Sequence, residues 1–288
     1  MRLNFCLIVV CALTFCTQVS AQVKCGTHGA NPYLTEGSVQ SFMPGYFGCE
    51  YINQTDRTLS ITVHIAQDSL GNTGYDEADL VEPIEFLNET FSPIGLSFKI
   101  CEIREMENFQ FDEFVSEEEL EDIEGMYYQQ NTINLYLVES IDHFEFGDVA
   151  GFARFPGGSD IVFATKGSMQ GPSQVLVHEM GHFFGLFHTF ETEPEGVEAL
   201  ELVDGSNCET AGDLVCDTEA DPNDEADNNP APDCNYNGQP AIDANGDFYV
   251  PPTNNFMSYY SGDCTCRFTP QQYNRMLEQY QNIRNYLW

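Results

Sequence analysis

Apolar and polar residues alternate along short segments in the first half of the chain. Residues 59–65 read Leu-Ser-Ile-Thr-Val-His-Ile, and residues 96–100 show the same period of two. Such alternation is typical of a β-strand with one buried face. Residues 133–138 are mostly apolar, which indicates a strand buried on both faces. The pattern therefore predicts three strands.

Elsewhere the apolar residues recur every three or four positions, which is the spacing of an amphipathic helix. One such helix covers residues 80–91, and we predict Asp79 as its N-cap. A short acidic helix follows a capping box formed by Ser116 and Glu119, and another follows Thr269 near the C-terminus. The order strand, helix, strand, helix, strand predicts a mixed sheet backed by helices.

The first 21 residues have the composition of a secretory signal peptide. Arg2 supplies the basic start, residues 3–15 the apolar core, and Ala21 ends a small-residue cleavage site. The apolar run is too short to predict a membrane span, and no other stretch could cross a membrane. A lipid anchor on Cys16 stays an alternative, although the bulky Phe15 stands where such a site favours a small residue. We expect a secreted protein, extracellular or periplasmic.

Residues 22–56 are rich in glycine, proline, asparagine and small polar residues and show no sustained period. We interpret them as a pro-segment, with an approximate boundary, in front of the main domain at residues 57–288.

The charge of the chain is strongly unbalanced, with 46 acidic residues against 10 basic ones and a formal net charge of −36. Such a surface repels nucleic acid and anionic membranes, and it attracts cationic peptides or calcium. Solubility, or life in a saline setting, explains the same composition without any partner.

Residues 178–188 carry the most specific pattern, His-Glu-x-x-His-x-x-Gly-x-x-His. Residues four apart share one face of a helix, so His178 and His182 can present two imidazoles to one ion. Gly185 permits the turn that ends the helix and lets His188 supply a third nitrogen.

Three histidines plus a water form the open arrangement of a catalytic Zn²⁺ site, and Glu179 lies beside that water as a general base. A buried amphipathic helix with hydrogen-bonded histidines is the alternative, but it leaves the extent of the motif unexplained.

Further segments continue the motif: His188-Thr189-Phe190, Gly-Asp-Leu-Val-Cys-Asp-Thr at residues 212–218, and Met257-Ser258-Tyr259. With the histidine motif they resemble the pappalysin family, of the cytophagalysin and ulilysin type, within the metzincin clan of zinc metallopeptidases. The resemblance spans roughly residues 59–288 and touches Cys25-Gly26-Thr27.

The resemblance implies an α+β metzincin catalytic domain. A twisted mixed sheet with backing and active-site helices would form an upper subdomain at 57–188. An irregular, disulfide-rich lower subdomain with a C-terminal helix would follow at 189–288.

The same resemblance implies roles for residues outside the motif. Met257 would lie beneath the imidazoles, and the Tyr259 hydroxyl would stabilise the oxyanion. The strand just before the zinc helix, with Gly151, Phe152 and Ala153, would form the cleft rim to which a substrate adds as an antiparallel strand. An ordinary edge strand is the alternative.

Eight cysteines remain after the signal peptide, and in an oxidising compartment most should be paired. Family likeness favours bridges within the group Cys208, Cys216, Cys234, Cys264 and Cys266. Cys25 is either a cysteine switch that holds the zinc of a latent zymogen, as the resemblance implies, or the partner of Cys49 in a disulfide.

Two segments are candidate Ca²⁺ sites, because calcium needs several oxygen ligands close together. Asp213, Asp217 and Thr218 match a segment that binds calcium in ulilysin-like relatives. Residues 243–247 alternate oxygen donors as in the start of an EF loop, but such clusters are more often plain turns.

These observations predict a secreted zinc-dependent endopeptidase. Its substrates would be proteins or peptides that carry basic residues near the scissile bond. A binding protein with a relic zinc site and a calcium-dependent adhesive protein are the other functions considered.

Overall fold

The computed structural model describes residues 52–114, 116–143, 147–191, 200–222, 234–236, 241–260 and 264–288. In that part of the chain the strands are β1 (Arg57–Ala66), β2 (Leu96–Met106), β3 (Glu113–Phe114), β4 (Ile133–Val138), β5 (Ser140–His143), β6 (Gly147–Val149), β7 (Gly151–Ala153) and β8 (Ile161–Thr165). The α-helices are α1 (Val81–Phe91), α2 (Glu117–Tyr127), α3 (Gln174–Phe183) and α4 (Pro270–Asn282).

The main sheet has five strands in the order β2-β1-β4-β8-β7. The first four are parallel, and β7 runs antiparallel to β8 at the edge, with Phe152 opposite Phe163. A smaller sheet has the order β3-β5-β6. The predicted mixed sheet is confirmed, and β7, which contains Gly151, Phe152 and Ala153, is one of its edge strands.

The alternation along β1 divides the interior into two cores. Leu59, Ile61, Val63 and Ile65 face a core that they share with apolar residues of α1, α3 and α4. Ala66, from the other face of β1, belongs to a second core with Tyr136, Phe163 and residues of α2. The main sheet is therefore covered on both faces, and α3 lies in the first layer.

The helix caps agree with the sequence in two of three places. Ser116 accepts a hydrogen bond from the Glu119 amide at the start of α2, and Thr269 with Gln272 forms a capping box on α4. The predicted cap Asp79 is wrong. Asp76 accepts from the Ala78 amide and starts a 3-10 turn that runs directly into α1, so Asp79 lies inside the turn.

After His188 the described chain is mostly loops until α4. Disulfides join Cys208 to Cys216 and Cys234 to Cys264, so both bridges fall within the predicted group. Cys101 and Cys266 are exposed and form no disulfide with another described cysteine.

Several predictions fall outside the described residues, namely the signal peptide, residues 22–51 of the pro-segment, and Cys25 with Cys49. Residues 52–56 are described and lie against the catalytic domain. The Asn53 amide donates to Asn274 on α4, and the Thr55 amide donates to the Ile94 carbonyl.

No helix in the described ranges is long and apolar enough to cross a membrane.

Candidate active site

Helix α3 and the turn after it bring the three histidines of the motif together. Ser173 caps helix α3. Because His178 and His182 are four residues apart on this helix, they lie one turn apart on the same face. Gly185 has φ +88°, a left-handed conformation that ends the helix, and the chain turns back to His188. The Nε2 atoms of His178 and His182 are 3.1 Å apart, and His188 Nε2 lies 3.2 and 3.1 Å from them.

Backbone carbonyls fix the orientation of two of these rings. His178 Nδ1 is 2.6 Å from the Phe256 carbonyl oxygen, and His182 Nδ1 is 2.7 Å from the Leu186 carbonyl oxygen. A carbonyl only accepts, so each Nδ1 carries the proton and each Nε2 keeps a lone pair. The lone pairs converge on one point, which is an arrangement that a cation stabilises.

The spacing of the three nitrogens fits zinc. With zinc–nitrogen bonds of about 2.0–2.1 Å, nitrogens 3.1–3.2 Å apart subtend an angle of roughly 100°, close to tetrahedral. Within the described ranges, these histidines are the one group of three or more His, Cys, Asp or Glu side chains whose ligand atoms all lie within 4.8 Å.

Strand β7 passes directly over the glutamate of the motif. A Cβ atom added at Gly151 would lie 2.9 Å from Glu179 Cγ and 2.8 Å from the Phe163 carbonyl oxygen. Glu179 itself is fully buried. Glycine is therefore required for the rim strand to approach this close to the helix.

Met257 packs against α3, the helix that carries His178 and His182. Its sulfur would be 2.4 Å from a Cβ atom at Gly181, so the glycine before the second histidine admits the methionine. The Asn255 side chain accepts from the Met257 amide, and the Met257 carbonyl accepts from the Thr189 amide. The turn that carries Met257 is thus tied to the segment after His188.

Tyr259 lies beside the histidines in an aromatic cluster. Its ring centroid is 4.8 Å from that of His188 and 4.6 Å from that of Phe190. Phe190 in turn stacks on the His188 ring at 4.7 Å and an interplanar angle of 7°. Phe190 is a site residue that the sequence singled out only as part of the family pattern.

Comparison with known proteins assigns the chain to a family. The profile of peptidase family M43, described as pregnancy-associated plasma protein-A, matches residues 128–281, just over half of the chain. The protein belongs to the pappalysin family.

Sequence relatives agree. An extracellular metalloprotease of Pyricularia oryzae is 26% identical over 92% of this chain and 91% of its own length. Human pappalysin-1 is 29% identical over 50% of this chain, which corresponds to 9% of the much longer relative. This chain is therefore a metalloendopeptidase, and its family implies zinc.

Two solved structures show the same fold. A mutant of promirolysin from Tannerella forsythia superposes with a TM-score of 0.59 at 16% identity, covering 91% of this chain and 96% of its own. Mature mirolysin in complex with a cleaved peptide gives a TM-score of 0.54 at 16% identity, covering 79% and 92%. The predicted α+β metzincin fold is confirmed.

The pappalysin chain also contains a buried acidic cluster behind the active site. Asp213 Oδ1 accepts from the Val215 amide and the Thr218 hydroxyl, and Asp217 Oδ2 accepts from the Gln271 amide. The other oxygens, Asp213 Oδ2 and Asp217 Oδ1, are buried and have no hydrogen-bond partner among the described residues. The three residues predicted to bind calcium therefore lie together.

The structure adds Glu201 and Asp221 to this cluster. Burial, with the nearby charges of Asp213 and Asp221, raises the pKa of Glu201 to about 9. Burial raises the pKa of Asp213 to about 7, although Arg275 opposes the shift. Asp221 accepts from the Thr189 hydroxyl, one residue after His188. No periodic pattern links Glu201 to Asp213, so the sequence could not have shown this neighbourhood.

The second calcium candidate has a different explanation. Asp243 Oδ1 accepts from the amides of Asn245 and Asp247, and Oδ2 accepts from the Val203 amide. The Asp243 carboxylate thus stabilises a tight turn, which is the ordinary role of such a sequence.

Proposed function

We propose that this protein is an exported zinc endopeptidase whose metal is held by His178, His182 and His188. The observation that carries the proposal is the convergence of three buried Nε2 atoms at 3.1–3.2 Å, two of them with ring orientations set by backbone carbonyls. Zinc in such an open site would acidify a water and polarise a carbonyl.

The chain's own residues supply the proton transfers. Glu179 would take the proton of the attacking water and deliver it to the leaving amine, since it follows the first histidine and is excluded from bulk solvent. The packing of Gly151 against its Cγ restricts where the carboxylate can point. The Tyr259 hydroxyl would donate a hydrogen bond to the developing oxyanion. Met257 supports the histidines and does no chemistry.

Substrates would bind along the rim strand. Strand β7 is the last strand in the order of the five-stranded sheet, and an extended peptide would add along it. Gly151, Phe152 and Ala153 would supply the pairing backbone. This geometry suits a protein or peptide substrate.

Basic residues near the scissile bond would be favoured by charge. The chain carries a net charge of −36. Close to the rim, α2 begins with Glu117, Glu118 and Glu119, of which Glu117 pairs with Arg154 just after β7. Such a field concentrates cationic peptides near the cleft.

Export and latency are proposed from the N-terminal sequence. Relatives named as extracellular metalloproteases support secretion after removal of residues 1–21. Residues 22–56 would keep the enzyme latent, with Cys25 as the ligand that blocks the zinc.

Calcium would bind at the cluster formed by the carboxylates of Asp213 and Asp217 and the hydroxyl of Thr218. Glu201 and Asp221 would supply further carboxylates. Calcium accepts hydroxyl and carbonyl oxygens as well as carboxylates, so the site does not require three carboxylates in contact. Glu201 and Asp213 each have a buried oxygen without a partner in the part of the chain that the structure describes, which supports the assignment because an uncompensated buried carboxylate is costly.

The first test is a peptide-library digest with the mature protein and with Glu179→Ala, the cut sites being identified by mass spectrometry. We expect Glu179→Ala to bind zinc normally and to lose on the order of 10³-fold in turnover, since it lacks the general base. Cuts clustered beside Arg or Lys would support the charge preference. Loss of zinc from the variant, or unchanged turnover, would contradict the role of Glu179.

A further inference from the structure

Arg284 is the largest of the fully buried side chains in the described ranges, and the pappalysin motif gives it no role. It follows the last turn of α4, and its guanidinium has no access to water. A buried charge of this kind must be paired and hydrogen-bonded, or it would strongly destabilise the fold.

The partners of Arg284 include the segment that directly follows β7. Arg284 forms an ion pair with Asp160 and donates to the carbonyl oxygens of Arg154 and Phe155 at 2.9 and 3.0 Å. The centre of its guanidinium lies 3.7 Å from the centroid of the Phe183 ring. The planar fork of arginine serves these acceptors at once, whereas a lysine ammonium could not reach them all.

These partners are the segments that build the active site. Arg154 and Phe155 directly follow strand β7, and Phe183 is the last residue of α3. The Phe155 ring also packs edge-on against His182, with the ring centroids 5.6 Å apart. Arg284 therefore joins the end of the rim strand to the end of the zinc helix.

Asp160 is held in place by more than Arg284. The hydroxyls of Tyr128 and Tyr286 donate to its carboxylate at 2.9 and 2.8 Å. Residues from after α2 and from the C-terminal segment thus converge on the turn between β7 and β8. Three side chains therefore hold this turn, namely Tyr128, Tyr286 and Arg284. Arg284 also links it to the end of β7 through the carbonyls of Arg154 and Phe155.

We propose that Arg284 is a positioning residue for substrate binding, which fixes the C-terminal end of β7 so that the edge of the strand can pair with an extended peptide. The inference rests on the proposed role of β7 as the substrate strand. Arg284 touches no substrate itself, and its effect should grow with the length of peptide that the rim engages.

The test is Arg284→Lys, assayed with a long peptide that spans the rim and with a minimal peptide that covers only the residues beside the scissile bond. Lysine keeps the charge opposite Asp160 and loses the fork. We expect KM for the long peptide to rise about tenfold, as for the loss of charge-assisted hydrogen bonds. Values of kcat, zinc content and KM for the minimal peptide should stay within about twofold.

Leu287→Ala is the matched control. Leu287 is fully buried in the main core, and its amide donates to the Arg284 carbonyl, so the variant loosens the same segment without removing the guanidinium. It should lower Tm and leave the ratio of the two KM values unchanged. If Leu287→Ala changed that ratio equally, then general loosening of the C-terminal segment, and not the loss of the guanidinium, would explain the effect on β7.

Tyr286→Phe covers the case in which Arg284→Lys does not fold. Tyr286 is 42% exposed and gives Asp160 a single hydroxyl, so this variant should fold and raise KM for the long peptide about threefold. Equal effects on both peptides would overturn the proposal. A wild type that cleaves peptides without any preference for length would refute the substrate strand while leaving the peptidase itself intact.

Discussion

At the scale of single residues, the geometry of the site depends on hydrogen bonds from two histidine rings to backbone carbonyls. The carbonyls of Phe256 and Leu186 accept hydrogen bonds from the Nδ1–H groups of His178 and His182, and the Nε2 atoms of the two rings face one another. The motif predicted that the three histidines would lie together, as they do. It could not predict the carbonyl partners, because Phe256 is 78 residues away from His178 along the chain.

The aromatic cluster around His188 leads to a prediction for Tyr259. Tyr259→Phe keeps the ring that contacts His188 and Phe190 and removes the hydroxyl proposed to stabilise the oxyanion. We expect kcat to fall about 10²-fold while KM changes less than about threefold, because that hydrogen bond forms only in the transition state. Steady-state kinetics on one peptide decides this, and an unchanged kcat would remove Tyr259 from the mechanism.

At the scale of secondary-structure elements, two glycines set how closely the parts of the site approach. Gly151 lets β7 cross over Glu179, and Gly181 lets Met257 lie under α3. In both cases a Cβ atom would come within 3.0 Å of the neighbour. Strand β7, helix α3 and the turn that carries Met257 thus form one packed unit. Their close approach depends on the absence of a side chain at Gly151 and Gly181.

The periodicity of apolar residues predicted the elements that bury one face. It failed where a tertiary contact or a single hydrogen bond determines the local structure. Strands β1, β2 and β4 and the C-terminal helix follow from their apolar spacing. The cap Asp79 was wrong because Asp76 starts a turn three residues earlier. The short strands β3, β5 and β6 have too few residues to show a period, and they pair only through the tertiary fold.

At the scale of the whole molecule, the excess of acidic residues reaches the interior. Glu201 and Asp213 are buried with raised pKa values of about 9 and about 7. A carboxyl whose pKa is raised by folding contributes stability below its unfolded value and loses that contribution as pH rises through the folded value. Without a cation, the cluster should therefore destabilise the protein as pH rises from about 4 to 9.

Calcium should reverse that loss. At a concentration 100-fold above Kd, we expect added calcium to raise Tm by about 5–10 °C at pH 8 and by less at pH 5, where the carboxyls are protonated. Thermal unfolding at constant zinc measures both values. Asp213→Asn should abolish the response, whereas Asp243→Asn, which alters only a turn carboxylate, should retain it. Equal shifts in all three proteins would place the calcium elsewhere.

The central claim is that three histidines hold one catalytic zinc, and the most direct measurement is turnover of the metal-free protein as zinc is added. The account predicts that turnover rises linearly to a plateau at one zinc per chain, and that Glu179→Ala binds the same single zinc without gaining activity. Full turnover without zinc, or an equal zinc response in His188→Ala, would contradict it.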